Sequence, residues 1–345
     1  MKITEIYSPQ EITELAKDRF QEERSLDHLE GWFLAREIAM RCDETYKDEP
    51  DSIRIAKTQV EIMKEIPLTL GDYHVFAGTQ DDAFARSYAL INPAFKVSSF
   101  AGYCDPTAVF GDIDPIGDIT KERIEHVKNY YAENNFAKVL TAAYKPAEKY
   151  TKEAVFFMEQ VTGHVIPDVR HLIEKGALYV KNEIKEHQAK ATEQKKIDYY
   201  EAMSITMDAL LVLAGRYQAM AEEKAEKSEG KMKERFAYMA EVLKKVPAEG
   251  ADNLYEAIQS FLLIWQTMCL EQTPNPFAFS VGNADRIFEP YRAKEDLDRD
   301  ATAALLKHML VFFNVADRSW AISQNLIIGG RDVDGNDLTN PTSYA

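Results

Sequence analysis

The sequence lacks any apolar run long enough to cross a membrane. Its longest apolar stretches include Ala209 to Gly215 and Phe261 to Trp265, which are far shorter than the roughly 20 residues that a membrane-spanning helix needs. No charged segment followed by an apolar one opens the chain. The sequence therefore predicts a cytoplasmic location and no membrane partner.

Positive charge is also scarce. The 345 residues include 41 Lys and Arg against 57 Asp and Glu, a formal net charge of −16. A chain of this charge repels phosphate backbones and anionic lipids, so we expect no nucleic-acid partner. Hydrophobic residues make up 46% of the chain, which is enough to bury a core. Because no internal repeat or low-complexity linker divides it, we treat residues 1–345 as one unit.

Cysteine is rare. Cys42, Cys104 and Cys269 are spaced too widely for a metal knuckle, and their odd number does not fit a disulfide framework. We therefore expect reduced thiols and no metal site. Cys269-Leu270-Glu271 has the form cysteine-x-glutamate, but it lies at the end of the apolar run from Asn253 to Leu270. That run predicts a buried helix.

Several catalytic motifs are missing. The sequence contains no HExxH pair, no GxSxG elbow and no CxxC. Residues Asp332 to Asp337 are similar to part of a calcium loop, but the glycine comes early and no glutamate closes a loop of about 12 residues. A solvated acidic turn is the better interpretation. Gly329-Gly330 lacks the further glycines and the lysine of a phosphate-binding loop.

Helical patterns dominate what is present. Residues 8–65 predict three amphipathic helices, the first with Ser8 as its cap and Pro9 in its first turn. The other predicted helices are Thr120–Ala132, Glu153–Val161, Val169 to about Gln194, Lys195 to about Glu229, Met232–Lys245, Asn253–Leu270 and Ala301–Val315.

Strand signals are few. Residues 68–78 have the length and β-branched content of a hairpin or strand pair around Gly71-Asp72. Leu326 to Ile328 predict a short buried strand, and Asp332 to Gly335 predict a turn after it. Between residues 79 and 118, a loop rich in proline, glycine and aromatic residues fits two interpretations equally well. It is either a functional loop or a loop packed over the helices.

The segment from Thr162 to Asp168 is a candidate site. Gly163 allows close backbone approach to His164, and Pro167 restricts Ile166 to an extended conformation. An imidazole held there could exchange hydrogen bonds with a substrate hydroxyl near neutral pH. Alternatively, Pro167 and Asp168 simply start a helix. The spacing by itself favours this second interpretation.

Six stretches, in order, resemble the N-terminal part of a glycyl radical enzyme of the pyruvate formate-lyase superfamily, in particular its glycerol dehydratase-like branch. They are RIAKTQVEIMKEIPLTLGDYHVFAGT, GHVIPDVRHLIEKGAL, RYQAMAEE, EVLKKVPAEGADNLYEAIQSFLLIWQTMCLE, FSVGNADRIFEPYR and SQNLIIGGRDVDGNDLTNPTSYA. Together they cover roughly residues 50–345.

The resemblance implies a fold and a mechanism. The fold would be mainly α with a few strands, namely the N-terminal helical part and first strands of a ten-stranded α/β barrel, incomplete in residues 1–345. In the family, a backbone glycyl radical converts a cysteine to a thiyl, which removes a hydrogen atom from a small-molecule substrate. C–O, C–N, C–C or C–S cleavage follows. A separate iron–sulfur activating enzyme installs the radical with S-adenosylmethionine, and homodimers are usual.

The resemblance also suggests substrate contacts. His164 matches a family histidine that lies against a substrate hydroxyl, which reverses the preference from spacing, and Asp168 lies in the same motif. The proline-rich loop matches a family segment of substrate contacts, so Phe277, Ala278 and Ser280 are candidates. This loop is two residues longer here. Asn283 replaces the family's usual arginine, while Asp285 is kept.

Both halves of the family's radical relay are missing from the sequence. The glycine-cysteine-x-glutamate loop and the arginine-valine-alanine-glycine-tyrosine motif do not occur. Cys269 follows Met268 in a helix that matches another part of the family, so we interpret it as a core thiol. We therefore expect no catalytic residue and no bound cofactor in this chain. The leading hypothesis is an N-terminal fragment that is inactive alone. The alternatives are a short non-catalytic binding or assembly partner and one half of a two-chain enzyme.

Overall fold

The computed structural model describes residues 2–23, 30–78, 118–133, 166–272, 280–314 and 325–345. In this part, helices dominate and two short strands form a parallel pair. The elements in chain order are α1 (Ile3–Ile6), α2 (Pro9–Glu23), α3 (Glu30–Thr45), α4 (Asp51–Glu65), α5 (Lys121–Glu133), α6 (Arg170–Lys175), α7 (Ala177–Gln188), α8 (Gln194–Lys227), α9 (Gly230–Lys245), α10 (Leu254–Gln272), β1 (Gly282–Asn283), α11 (Ala284–Glu295), α12 (Arg299–Asn314), β2 (Leu326–Ile327) and a 3₁₀ turn (Pro341–Tyr344).

The three helices predicted near the N-terminus are confirmed as α2, α3 and α4. Ser8 caps α2, because its hydroxyl accepts the N–H of Glu11 at 3.3 Å while the Glu11 carboxylate accepts the N–H of Ser8 at 2.8 Å. This reciprocal pair is a capping box, which satisfies donors that a helix start otherwise leaves unpaired. The short helix α1 was not predicted.

The core lies around α10. This helix is apolar on nearly every side, and Phe261, Leu262 and Trp265 are fully buried. Trp265 meets Phe312 of α12 edge to face, with ring centroids 5.4 Å apart. The long helix α8 packs against α4, α7 and α9. The predictions for α5, α8, α9, α10 and α12 are confirmed to within about two residues, which is the usual uncertainty of helix ends.

The prediction of a hairpin over residues 68–78 was wrong. The segment contains no strand, although Val75, Phe76 and Ala77 are fully buried. Side chains take the place of a neighbouring strand: the Tyr255 hydroxyl donates to the carbonyl of Val75 at 2.5 Å, and the Gln259 amide bonds to both backbone groups of Ala77. Apolar, β-branched content indicated burial correctly, but it could not identify the hydrogen-bond partners.

One predicted helix is two helices. The prediction ran from Val169 to about Gln194, but the chain turns at Gly176, which separates α6 from α7. Gly176 has φ +83°, and a Cβ atom there would lie 2.4 Å from Cα of Glu249. A glycine is required both by the backbone angle and by the close approach.

The closing strand and turn are present, but the strand is not buried. β2 pairs with β1 in parallel, and Leu326, Ile327 and Ile328 are 39%, 43% and 58% exposed. The prediction of a buried strand was therefore wrong. In the described part of the chain, β1 is the sole strand beside β2, and this two-stranded pair leaves the apolar side chains exposed. The turn is confirmed, because the N–H of Gly335 bonds to the carbonyl of Asp332 at 3.1 Å.

Some predictions lie outside the described residues. They are the helix from Glu153 to Val161, nearly all of the aromatic loop between residues 79 and 118, and Cys104. Cys269 is in α10 as expected, and Cys42 is buried.

Candidate substrate site

The predicted contact residue Ser280 lies at the start of the parallel strand pair. Gly282 is opposite Leu326, and Asn283 is opposite Ile327. One step earlier, the N–H of Val281 bonds to the carbonyl of Asn325 at 3.1 Å, and the Ser280 hydroxyl accepts the N–H of Asn325 at 3.0 Å. Ser280 is 4% exposed. Its hydroxyl oxygen is therefore buried and held in place by β2.

The segment that follows His164 lies beside the same strand. A Cβ atom on Gly282 would be 2.7 Å from Cγ2 of Ile166, and Gly282 has φ +74°. Glycine is needed there because both the backbone angle and the Ile166 side chain exclude a larger residue. The structure thus brings the two sequence segments with predicted substrate contacts, one ending near residue 168 and the other containing Ser280, next to each other.

Asp168 is arranged as a helix start. Its carboxylate accepts the backbone N–H of Arg170 at 3.3 Å and the Arg170 side chain at 3.2 Å. The hydrogen bond from the Arg170 side chain lowers the pKa of Asp168 below its usual value. The carboxylate is largely exposed and bonded within its own turn, so a substrate role for Asp168 stays a prediction. His164, Phe277 and Ala278 lie outside the described residues.

A buried carboxylate that sequence reasoning did not assign lies at the other end of the strand pair. Asp285 is 1% exposed and accepts three hydrogen bonds, from the N–H of Gly329 at 2.6 Å, the N–H of Arg286 at 2.8 Å and the Ser343 hydroxyl. The Arg286 guanidinium bonds to the Asn283 side chain and to the carbonyl of Gly329 at 3.3 Å. The signal in the sequence is an acid in the first turn of a helix, which indicates a capping role but not a distant partner.

A second contact ties the closing segment to α11. Glu289 accepts the Thr342 hydroxyl at 2.7 Å and the Thr342 N–H at 3.2 Å, and Arg292 binds the same carboxylate at 2.8 Å through two nitrogens. The hydrogen bonds from Arg292 and Thr342 lower the pKa of Glu289. Residues 325–345 are therefore attached to α11 at two separate points.

Two histidines, His74 and His308, are also buried. Burial lowers the pKa of His74 well below its usual value and lowers the pKa of His308 to about 3. His308 Nε2 donates to the carbonyl of Ile12 at 2.9 Å, because a carbonyl can only accept. Both rings are neutral at pH 7. His308 joins α12 to α2 through this bond, and its ring meets the Phe76 ring edge to face at 6.2 Å, which indicates packing rather than catalysis.

The described residues contain no group of three or more His, Cys, Asp or Glu side chains that could hold a metal ion. In the same part of the chain, no helix is both long and apolar enough to cross a bilayer. The acidic turn near Asp332 is closed by its own hydrogen bonds, since the Asp332 carboxylate accepts the N–H groups of Asp334 and Asn336, each at 2.9 Å.

Comparisons with known proteins agree with this fold. The model of the pyruvate formate lyase-like family matches residues 8–345. Trans-4-hydroxy-L-proline dehydratase of Clostridioides difficile is 27% identical over an alignment of 212 residues, and the match covers 54% of this chain and 27% of that protein. Isethionate sulfite-lyase of Desulfovibrio desulfuricans is 27% identical over an alignment of 205 residues, and the match covers 52% of this chain and 24% of that protein.

A solved structure extends the likeness to nearly the whole chain. This structure concerns 1,2-propanediol dehydration in Roseburia inulinivorans. It superposes with a TM-score of 0.79 at 23% identity, and the match covers 96% of this chain and 44% of the other. The chain belongs to the pyruvate formate lyase-like family. The predicted fold class, mainly helical with few strands, is confirmed. The chain spans less than half the length of the relatives it matches.

Two motifs that the resemblance to glycyl radical enzymes implies are absent from the sequence. Neither a glycine-cysteine-x-glutamate run nor an arginine-valine-alanine-glycine-tyrosine run occurs among the 345 residues. The residues present thus do not fit the radical group itself.

Proposed function

We propose that this chain supplies part of the substrate pocket of a glycyl radical dehydratase or lyase and does not catalyse the reaction alone. The observation that carries the proposal is the buried Ser280 hydroxyl at the start of the β1–β2 pair. The relatives are named a dehydratase and a sulfite-lyase, and we propose that the substrate is a small molecule that loses a group by C–O, C–N, C–C or C–S cleavage.

The glycyl radical, when installed in a complete enzyme, supplies hydrogen-atom abstraction. The residues of this chain do different work. Because the N–H of Asn325 holds the Ser280 oxygen, that hydroxyl is oriented before a substrate arrives, which reduces the ordering that binding requires. Low exposure also keeps water away from it, and a hydrogen bond to substrate is stronger in such a site.

His164 is the proposed partner of Ser280 in the pocket. Support comes from Ile166, which lies two residues after His164 and contacts Gly282 two residues after Ser280. A histidine near a substrate hydroxyl can exchange a proton or hydrogen bond with it near neutral pH. Asp168, Phe277 and Ala278 are proposed as further contacts on the strength of their motifs.

The inactivity of the chain alone is tested by electron paramagnetic resonance. Under anaerobic conditions, treatment with an S-adenosylmethionine-dependent activating enzyme should produce no glycyl doublet, since the sequence has no radical motif. A doublet formed on this chain would contradict the proposal. A family member that contains the motif serves as the positive control.

The role of His164 is tested in an assembly that includes the missing radical residues. His164→Ala should reduce turnover by about 10²-fold or more, the usual range for a general acid or base, while the radical signal still forms. His187→Ala is the matched control, because His187 is exposed and stacks on Tyr200 at 6.1 Å. Unchanged turnover in His164→Ala would contradict a substrate contact and indicate that His164 is a structural residue.

The exposed β2 favours a second candidate, in which this chain is one half of a two-chain enzyme or an assembly partner. Leu326, Ile327 and Ile328 present apolar side chains that water solvates poorly. A polypeptide with the rest of the family barrel would cover them, and a homodimer is proposed for the complete protein. Co-expression with a chain that contains the glycine-cysteine-x-glutamate and radical motifs tests this, and failure of the two to co-purify would count against it.

A further inference from the structure

The β1–β2 pair is held at both ends by side chains from one short stretch of sequence. At the start, the Ser280 hydroxyl accepts the N–H of Asn325 at 3.0 Å. At the end, the Asp285 carboxylate accepts the N–H of Gly329 at 2.6 Å. Between them lie two pairs of opposed residues. A two-stranded pair this short has little stability of its own, so its position depends on these end contacts.

Asp285 makes several hydrogen bonds at the Gly329 end of the strand pair. The carboxylate is buried, and its three donors are the N–H groups of Gly329 and Arg286 and the Ser343 hydroxyl. Hydrogen bonds to an ionised acceptor are roughly twice as strong as neutral ones. The Arg286 side chain lies 4.0 Å from the same carboxylate and compensates part of its charge.

The backbone after β2 is shaped to meet this carboxylate. Gly329 has φ +62° and Gly330 has φ +101°, and both angles lie in the region that favours glycine. A Cβ atom on Gly329 would be 3.0 Å from Oγ1 of Thr339. The two glycines therefore let the chain turn sharply and direct the N–H of Gly329 at Asp285.

We propose that Asp285 is a positioning residue for the Ser280 hydroxyl and acts through β2. By fixing Gly329 at one end of the strand, Asp285 fixes Asn325 at the other end, and Asn325 holds the Ser280 oxygen. The assignment of Ser280 to the pocket rests on the proposed function. The mechanical link from Asp285 to Asn325 does not depend on the proposed function, and it can be measured on this chain alone.

Amide hydrogen exchange of the purified chain tests the link. Asp285→Asn keeps the size of the side chain but removes its charge and one acceptor. We expect the Gly329 and Asn325 amides to exchange about tenfold faster or more, since each loses a hydrogen bond or its support. Amides of α10 should be unchanged. Ser280→Ala should also accelerate hydrogen exchange at the Asn325 amide. In the double variant, this amide should exchange only slightly faster than in the faster of the two single variants.

Glu289→Gln is the matched control. Glu289 is on the same helix and also holds the closing segment, but through Thr342 rather than Gly329. Asn325 should therefore exchange at the wild-type rate in this variant. The proposal is overturned if Asp285→Asn leaves Asn325 as protected as in the wild type. It is equally overturned if α10 amides accelerate as much as Asn325, because Asp285 would then be a general stabilising residue.

A second readout applies in an assembly that turns over substrate. Asp285→Asn should raise KM by about the same factor as Ser280→Ala, with the radical yield unchanged, and the double variant should add little to either. Additive effects on KM would overturn the proposed coupling. An assembly that never turns over would count against the proposed function, while the exchange result on this chain would still decide the role of Asp285.

Discussion

Gln259 binds Ala77 through both halves of its side-chain amide. Its oxygen accepts the N–H of Ala77 at 2.8 Å, and its nitrogen donates to the carbonyl of Ala77 at 3.0 Å. Both residues are fully buried. The side chain thus makes the two hydrogen bonds that a neighbouring strand would make, which is why Ala77 needs no strand partner.

Removing this amide should destabilise the chain strongly. Gln259→Leu leaves a buried N–H and a buried carbonyl without partners, at a cost of about 2–4 kcal/mol. The measurement is the free energy of unfolding in urea. The control is Gln218→Leu on α8, where the amide makes a solvent-exposed bond to Glu222 at 3.2 Å, and its effect should stay within about 0.5 kcal/mol. Equal effects of the two substitutions would refute this account.

His308 should make stability fall as the solution becomes acidic. Its folded pKa of about 3 lies below the usual value of 6.5, because burial disfavours the charged ring. The unfolded chain therefore binds the proton first. The contribution of His308 is present above pH 6.5 and is lost as pH falls toward 3, by at most about 1.4 kcal/mol per pH unit.

His308→Gln isolates this contribution. Glutamine can still donate to the carbonyl of Ile12 but does not titrate, so the dependence of unfolding free energy on pH between 6.5 and 4 should become shallower. His187→Gln on the exposed face of α7 serves as the control. An unchanged slope in His308→Gln would show that other groups control acid unfolding. His74, whose pKa burial also lowers, should account for part of the slope that remains.

Two glycine substitutions should act in opposite directions. Gly176→Ala places a Cβ atom 2.4 Å from Cα of Glu249 at a residue with positive φ. It should lower the free energy of unfolding by about 2–4 kcal/mol. Gly215→Ala lies inside α8, where a Cβ atom would meet nothing within 4 Å. It should stabilise the chain by about 0.5–1 kcal/mol. Thermal unfolding of both variants provides the measurement, and destabilisation by Gly215→Ala would be inconsistent with the open space found there.

The exposed apolar strand should promote self-association. Ile328→Lys adds a charge beside Leu326 and Ile327, and charged side chains protect strand edges from pairing with other chains. We expect light scattering of the purified chain to fall. Val333→Lys is the control, because Val333 is fully exposed but lies in the acidic turn rather than on β2. If both variants scatter light equally, total charge rather than the strand governs association.

Most of the helical framework was predictable from local signals. The Ser8 cap and the apolar run of α10 each depend on residues a few positions apart, so the sequence carries them directly. Part of the candidate site was predictable too. Ser280 was selected from its motif, and the structure places it in a buried position held by Asn325.

Other features depend on partners far away in the chain. Ala77 and Gln259 are separated by 182 residues, and Asp285 and Ser343 by 58. No local pattern reveals such a contact, and the same apolar residues fit either a strand or a buried irregular segment. The break at Gly176 belongs to this class as well, because the atoms that exclude a side chain there come from Glu249.

The sequence by itself determined the family, the helices and the absence of the radical motifs, because each is written in residues that are close together or in fixed order. Tertiary structure alone decided how Ser280 is held, how Asp285 joins β2 to α11 and which apolar side chains remain in water. Those outcomes depend on which distant segments pack together, and packing is decided by the balance of burial and hydrogen bonding over the folded chain.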